Sequence, residues 1–331
     1  MPAFLAYFDL LGYKKFIENN TPECLNSRTN HFGRNIEAAL SLDRPPLTST
    51  RTGRLINDIS QSTLNCLTFS DTVVLWSNGV TMQDFEEILR VSFKYNHFNV
   101  CLDFPSRGCI AYGDIWFKPF DQENMRGGKY MFNMIYGKVL VTAYEKAEKM
   151  SWAGCVLDES AIRHAKTLGN IDALLEEHTK LYDVPYKTGD GEIRQSEYAL
   201  KLNKGDLVRT EDIADGIRRA FTQDNKGEIE GRIKVIFDNT IEFLEAHKMK
   251  FPHYYRIDIT KDALSHQIFG KLDEDYNHTI VTRRQENNQS EVYEIEVVSF
   301  EPSSSNRDFL NAEQIQSEVF EAQLQNARDR Q

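Results

Sequence analysis

Asp9 closes a short apolar run, Ala3-Phe4-Leu5-Ala6-Tyr7-Phe8, and Asp71 belongs to a small polar pair, Ser70-Asp71, between two β-prone runs. Each acid has an ordinary structural explanation. At a strand-to-helix junction an aspartate accepts from the first helical amides as an N-cap, and in a tight turn it bonds its own backbone. Together they are a strand-end carboxylate and a hairpin-turn carboxylate, a geometry that can share hard divalent cations such as Mg²⁺ or Mn²⁺ through oxygen ligands. Other chemistries find no pattern: the eight histidines form no His-Glu-x-x-His or His-x-His pair, and neither a P-loop nor a Gly-x-Ser-x-Gly elbow occurs.

The elements that must position these acids follow from periodicity. Residues 3–9 read as a strand, and Leu10 to Asn20, with Leu10, Leu11, Phe16 and Ile17 at helical spacing, reads as a helix. A second helix is expected over about Asn30 to Leu42, followed by an irregular loop from Arg44 to Gly53. Leu64 to Phe69 and Thr72 to Trp76 form a hairpin around Ser70-Asp71. A helix over Met82 to Phe98 precedes strand character at Arg107 to Tyr112 and Asp114 to Phe117. A glycine-bearing loop at Arg126-Gly127-Gly128-Lys129 leads to a helix over Gly137 to Met150 and a strand over Ala153 to Leu157. The order β-α-α-ββ-α-ββ-α-β predicts an α+β sandwich with helices on one face of a sheet.

Beyond residue 160 the expectation is a mixed, mainly helical extension over 161–305, with helices near 159–178 and 210–248 and short strands at Tyr198 to Leu202 and Val292 to Phe300. The apolar stripe Ile229, Ile233, Ile236, Phe237, Ile241, Phe243 and Leu244 must dock on the first domain or on another subunit. Residues 306–331 read as a polar tail, helical or disordered.

A formal charge of −11 opposes the nonspecific phosphate attraction that long nucleic acids need, so a nucleic-acid polymer is a poor partner. A small anion remains compatible, because a bound cation reverses the field within one pocket. The five cysteines lack CxxC spacing and read as reduced core residues, and no apolar run reaches the length of a membrane span, so a cytoplasmic protein is expected.

Five blocks in order resemble class III nucleotidyl cyclases. AYFDLLGYKKF is similar to the family's F-x-D-(I/L)-x-G-F opening, FSDTVVLW to its G-D hairpin and RGCIAYGDIWF to its R-x-G-I-x-x-G strand. YGKVLVTAYEKAE and AGCVLD stand where the family has a helix and the strand after it. Residues 1–160 would then be a ferredoxin-like cyclase domain. The resemblance implies that Asp9 and Asp71 hold two Mg²⁺ or Mn²⁺ ions, one activating the ribose 3′-hydroxyl and one steadying the triphosphate, as a nucleoside triphosphate becomes a 3′,5′-cyclic nucleotide and pyrophosphate. It also implies a homodimer, since the family's sites lie between two domains.

The departures carry information too. Leu67 and Met134 stand at the family's purine-selecting lysine and aspartate, which shifts the expectation towards a pyrimidine base. Val141 and Glu145 replace the helix asparagine and arginine that hold the ribose and the transition-state phosphate. Arg107 and the Arg126/Lys129 pair are the candidates to supply the missing cation, and Glu145 is either a further metal ligand or an ion-pair partner for Arg107. The pattern is similar to divergent stand-alone bacterial cyclases, including the pyrimidine cyclases of Pycsar anti-phage defence. The alternative is a degenerate cyclase-homology protein that binds nucleotides or partners without turnover.

Overall fold

The computed structural model describes residues 1–42, 44–49, 55–189, 191–202, 210–246, 253–261, 264–272, 278–286 and 289–296. β1 (Pro2–Leu10) is followed, after Gly12 at φ 80°, by α1 (Tyr13–Asn19) and α2 (Pro22–Ser41). α2 starts well before the expected Asn30, because Thr21 caps it by accepting from the Cys24 amide and Pro22 supplies a first-turn φ. Two short strands, β2 (Leu47–Thr48) and β3 (Leu55–Ile56), pair with each other. The expected hairpin then forms from β4 (Asn65–Phe69) and β5 (Thr72–Trp76).

α3 (Met82–Leu102) opens on a capping box between Thr81 and Asp84. It leads to β6 (Ser106–Asp114) and then to β7 (Trp116–Glu123) and β8 (Lys129–Tyr136), which pair only with each other and form an arm. α4 (Lys138–Lys149), β9 (Gly154–Leu157), α5 (Glu159–Leu168) and α6 (Asp172–His178) follow. β10 (Thr179–Thr188) and β11 (Gly191–Leu200) pair along their whole length, and α7 (Thr210–Thr222) and α8 (Gly231–Ala246) come after them. The later strands β12 (His253–Lys261), β13 (Leu264–Leu272), β14 (His278–Glu286) and β15 (Gln289–Glu296) form a separate antiparallel meander.

The main sheet has the order β10-β11-β9-β6-β1-β5-β4. Its part β6-β1-β5-β4, antiparallel at every neighbour, is the split βαβ arrangement of a ferredoxin-like fold, and the α+β expectation holds. The placement of helices needs correction. They cover both faces, because β1 is buried at every position from Ala3 to Phe8, and a two-sided burial needs two apolar partners. Phe4, Ala6 and Phe8 pack with α2 and α3 residues such as Phe32, Phe85 and Leu89. Leu5 and Tyr7 pack on the opposite side with Val139, Ala143 and Ala147 of α4.

The first compact unit runs through Met1–Lys204 and Thr210–His247, and the second contains the meander. β10 and β11 add two strands to the first sheet, and α8 docks on it: the Ala153 amide donates to Thr240 Oγ1 at 2.9 Å and Asn239 Nδ2 donates to Ser151 O at 2.9 Å. The region beyond 247 carries strands where it is described, and the expected helices near 159–178 and 210–248 are α5 to α8. The polar tail expected over 306–331 lies outside the described residues, as does the end of the strand expected up to Phe300.

Candidate functional site

Asp9 lies inside β1, paired with Arg107 of β6 on one side and Thr72 of β5 on the other. It caps no helix, since the N-cap of α1 is Gly12. Strand alternation turns Asp9 to the same face as Leu5 and Tyr7, the face covered by α4. Asp71 sits in the two-residue turn between β4 and β5, preceded by Ser70 at φ 55°, a left-handed position that is unfavourable for a residue with a Cβ. The turn is fastened to β1 by its main chain, with the Leu10 amide donating to Asp71 O at 2.9 Å. The hairpin thus brings its acid to the strand end that carries Asp9.

Arg107 is almost fully buried. Its Nη2 donates to Asp9 Oδ2 at 2.6 Å and to Glu148 Oε1 at 2.5 Å, and its Nη1 donates to Glu148 O at 3.0 Å. Glu148, not Glu145, is therefore the α4 partner of Arg107. The helix period explains the choice: Val139, Ala143 and Ala147 bury one stripe, which turns Tyr144 and Glu148 towards β1 and leaves Glu145 exposed. Tyr144 meets Tyr7 edge-on at 5.8 Å. α4 itself is pinned by Lys146, which bridges Asp158 at 3.0 Å and Glu197 at 2.8 Å. Its start crowds the sheet so closely that a Cβ on Gly137 would lie 2.1 Å from Asp114 O.

The electrostatics record an excess of negative charge at this strand end. Burial raises the Asp9 carboxyl above its ordinary value, the charges of Asp71 and Glu148 raise it further, and Arg107 only partly opposes them. The Tyr7 hydroxyl is pushed up to about 12, by burial first and then by Asp9 and Glu148, against a hydrogen bond with Thr72. Lys187 of β10 is pushed down to about 8, by burial first and then by the cations of Arg107 and Arg232, against Glu148 and Asp9.

Glu148, Lys187 and Arg232 were not singled out from the sequence. Glu148 could have been found by projecting the Val139-Ala143-Ala147 stripe; Lys187 and Arg232 lie on elements whose docking no local pattern reveals. The structure does not join Arg126 and Lys129 to the acids. They lie at the tip of the β7–β8 arm, whose root, at Ile115 beside Met1, is at the opposite end of β1 from Asp9.

Among the described residues no group of three or more His, Cys, Asp or Glu side chains is gathered as a metal cage. Two carboxylates nevertheless suit Mg²⁺ or Mn²⁺, which keeps several waters and takes one or two protein carboxylates together with substrate phosphates. The under-neutralised Asp9 fits such a cation. The thiols are all free, with Cys101, Cys109 and Cys155 buried, but Cys66 is exposed rather than a core residue. No described helix is long and apolar enough to cross a membrane.

No family model matches the chain, and no curated protein matches it. Among solved structures it is similar to the catalytic core of a rhodopsin-guanylyl cyclase with converted specificity, crystallised in complex with ATPalphaS. The identity is 10% and the TM-score 0.39, over 60% of this chain and 95% of that one.

Proposed function

We propose that the chain is a metal-dependent nucleotidyl cyclase, forming a 3′,5′-cyclic nucleotide and pyrophosphate from a nucleoside triphosphate. The observation that carries this reading is the meeting of Asp9 and Asp71 at one strand end, 62 residues apart in sequence, fastened by the Leu10 to Asp71 main-chain bond and mutually repelling. Asp9 and Asp71 would hold the divalent ions, which supply charge neutralisation for phosphoryl transfer. In the reaction the O3′–phosphorus bond forms as the bond to pyrophosphate breaks, and the hydroxyl proton leaves to solvent. Arg107 orients Asp9 and stands ready to exchange a carboxylate for a phosphate oxygen, a pairing that guanidinium groups favour. Leu67 and Met134, in place of a purine-reading pair, support a pyrimidine base, and the product would serve as a diffusible signal, as in anti-phage defence.

The working unit in this reading is a homodimer. One face of the arm carries Trp116, Phe120, Tyr130, Phe132, Met134 and Tyr136, all exposed, with Trp116 stacked on Tyr136 at 5.6 Å. The other face is used at its root, where Phe117 packs on Trp76 at 5.3 Å. An uncovered aromatic face of this kind supports burial against a second copy. Arg126 and Lys129, at the arm's tip, would then reach an acidic site only in the partner.

One observation favours a second reading, binding without turnover: Glu145 is exposed on α4 where the resemblance calls for an arginine. Incubating the chain with each of the four ribonucleoside triphosphates and Mn²⁺, and detecting cyclic product and pyrophosphate, separates the two. Turnover of at least one nucleotide supports the cyclase, whereas metal-dependent binding with no product supports the binding module.

A further inference from the structure

Lys187 lies within electrostatic reach of Asp9, Glu148, Arg107 and Arg232. Lys187 follows Tyr186, which bridges to Met150 at the end of α4, so β10 delivers the lysine next to the turn of helix that bears Glu148. Arg232 is two helical turns before Asn239, hence on the same face of α8. Asn239 is anchored to Ser151 and also donates to Glu192 Oε2 at 3.0 Å, and Glu192 is the cross-strand neighbour of Lys187. Strand register and helix docking therefore converge on one place. Among the described residues neither Lys187 nor Arg232 makes an ion pair, although acids are plentiful in this chain.

We propose that Lys187 and Arg232 form an anion subsite in the same chain as Asp9 and Asp71, holding the terminal phosphates of a nucleoside triphosphate and then the released pyrophosphate. This deepens the cyclase reading and rests on it for the identity of the anion. The charge pattern favours a polyphosphate. A triphosphate of about four negative charges entering with two divalent cations adds no net charge to the site, and it sets anion beside Lys187 and Arg232 and cation beside the acids. A lysine point charge and a planar guanidinium can take different oxygens of one phosphate chain. The like-charge pressure that Arg107 and Arg232 put on Lys187 is relieved when an anion sits between them.

The test uses the full chain and the variants Lys187→Gln, Arg232→Gln and Lys187→Arg, each checked for an unchanged circular dichroism spectrum. Two quantities are read: KM and kcat for the nucleotide that turns over with Mn²⁺, and the calorimetric affinity for inorganic tripolyphosphate with Mn²⁺. Each Gln variant is expected to raise KM and weaken tripolyphosphate binding by about tenfold, with kcat moved less, while Lys187→Arg retains most of the affinity and nucleoside monophosphate binding is unchanged. Turnover with unaltered KM and tripolyphosphate affinity in the Gln variants overturns the subsite and leaves the cyclase standing. Lys187-dependent tripolyphosphate binding without cyclic product upholds the subsite and overturns the cyclase. A wild-type chain that neither binds tripolyphosphate nor turns over nucleotide overturns both.

Discussion

Arg107 reaches Asp9 from the neighbouring strand through one nitrogen, Nη2, at 2.6 Å, and shares that nitrogen with Glu148. A single guanidinium thus restrains two carboxylates next to a third, Asp71, and leaves the group short of positive charge.

Replacing Arg107 with Gln should remove the only described ion-pair partner of Asp9 while keeping most of the side-chain volume. Breaking a mostly buried pair leaves an uncompensated charge, discounted here because Glu148 is 43% exposed, so a loss of about 2 kcal/mol is expected in a urea melt. Mn²⁺ should restore part of that loss, because a ligand bound only by the folded state stabilises it. A melt of the variant that ignores Mn²⁺ would speak against a cation site.

Asp9→Asn should act in the opposite direction on the metal-free protein. The folded state raises the Asp9 carboxyl, so it holds the proton more tightly than the unfolded chain does. The stability this contributes is full below the unfolded value and is lost as pH rises through the folded one, leaving the ionised group unfavourable at neutral pH. A neutral amide removes that penalty. The variant should melt at or above the wild-type temperature at pH 7 without metal and should gain nothing from Mn²⁺; a lower melting temperature would show that the Arg107 pair outweighs burial.

Lys226 offers a check away from the site. Its amine is nearly buried, donates to Asp103 O at 3.0 Å and lies 3.8 Å from the Phe104 ring centre. Burial pushes it down to about 8, with Arg28 adding to the shift and Asp224 and Asp103 opposing it. The unfolded chain therefore holds more protons between pH 8 and the ordinary lysine range, and this residue makes stability rise with pH across that window, by on the order of 3 kcal/mol in full. Lys226→Met should flatten the wild-type slope between pH 8 and 10 in denaturant titrations. Parallel wild-type and variant curves would refute the coupling.

The arm gives the test of assembly. Phe120 and Phe132 are cross-strand partners on the exposed aromatic face, and replacing both with Ser leaves the root contact of Phe117 with Trp76 untouched. The doubly substituted chain should keep its wild-type melting temperature at low concentration but sediment as a monomer where the wild type sediments as a dimer. A wild-type chain that is monomeric at tens of micromolar would remove the dimer from the proposal.

Much of the first domain was legible because its signals are local. The alternation from apolar run to acid at Asp9, the Ser70-Asp71 turn and the helical stripe of α4 each lie within a short window, and each element formed close to where it was expected. What stayed hidden depends on distant neighbours. The early start of α2 is the exception, because Thr21-Pro22 is a local signal for it. The two-sided burial of β1, the docking of α8 by Asn239 and Thr240, and the approach of Lys187 to Arg107 arise only once elements far apart in the chain lie side by side. Of the arm only its start, to Phe117, and the Arg126–Lys129 tip were legible, because the exposed aromatic residues between them show no half-buried alternation.

The most direct measurement is a Mn²⁺ titration, read by electron paramagnetic resonance, of the wild type and Asp71→Asn in the presence of a nonhydrolysable triphosphate. The turn should survive the substitution, since it is fastened through the main-chain oxygen of Asp71 rather than its carboxylate. The expected result is at least about tenfold weaker Mn²⁺ binding in the variant with an unchanged circular dichroism spectrum. Equal Mn²⁺ affinity in the two proteins would contradict the claim that Asp9 and Asp71 share a cation.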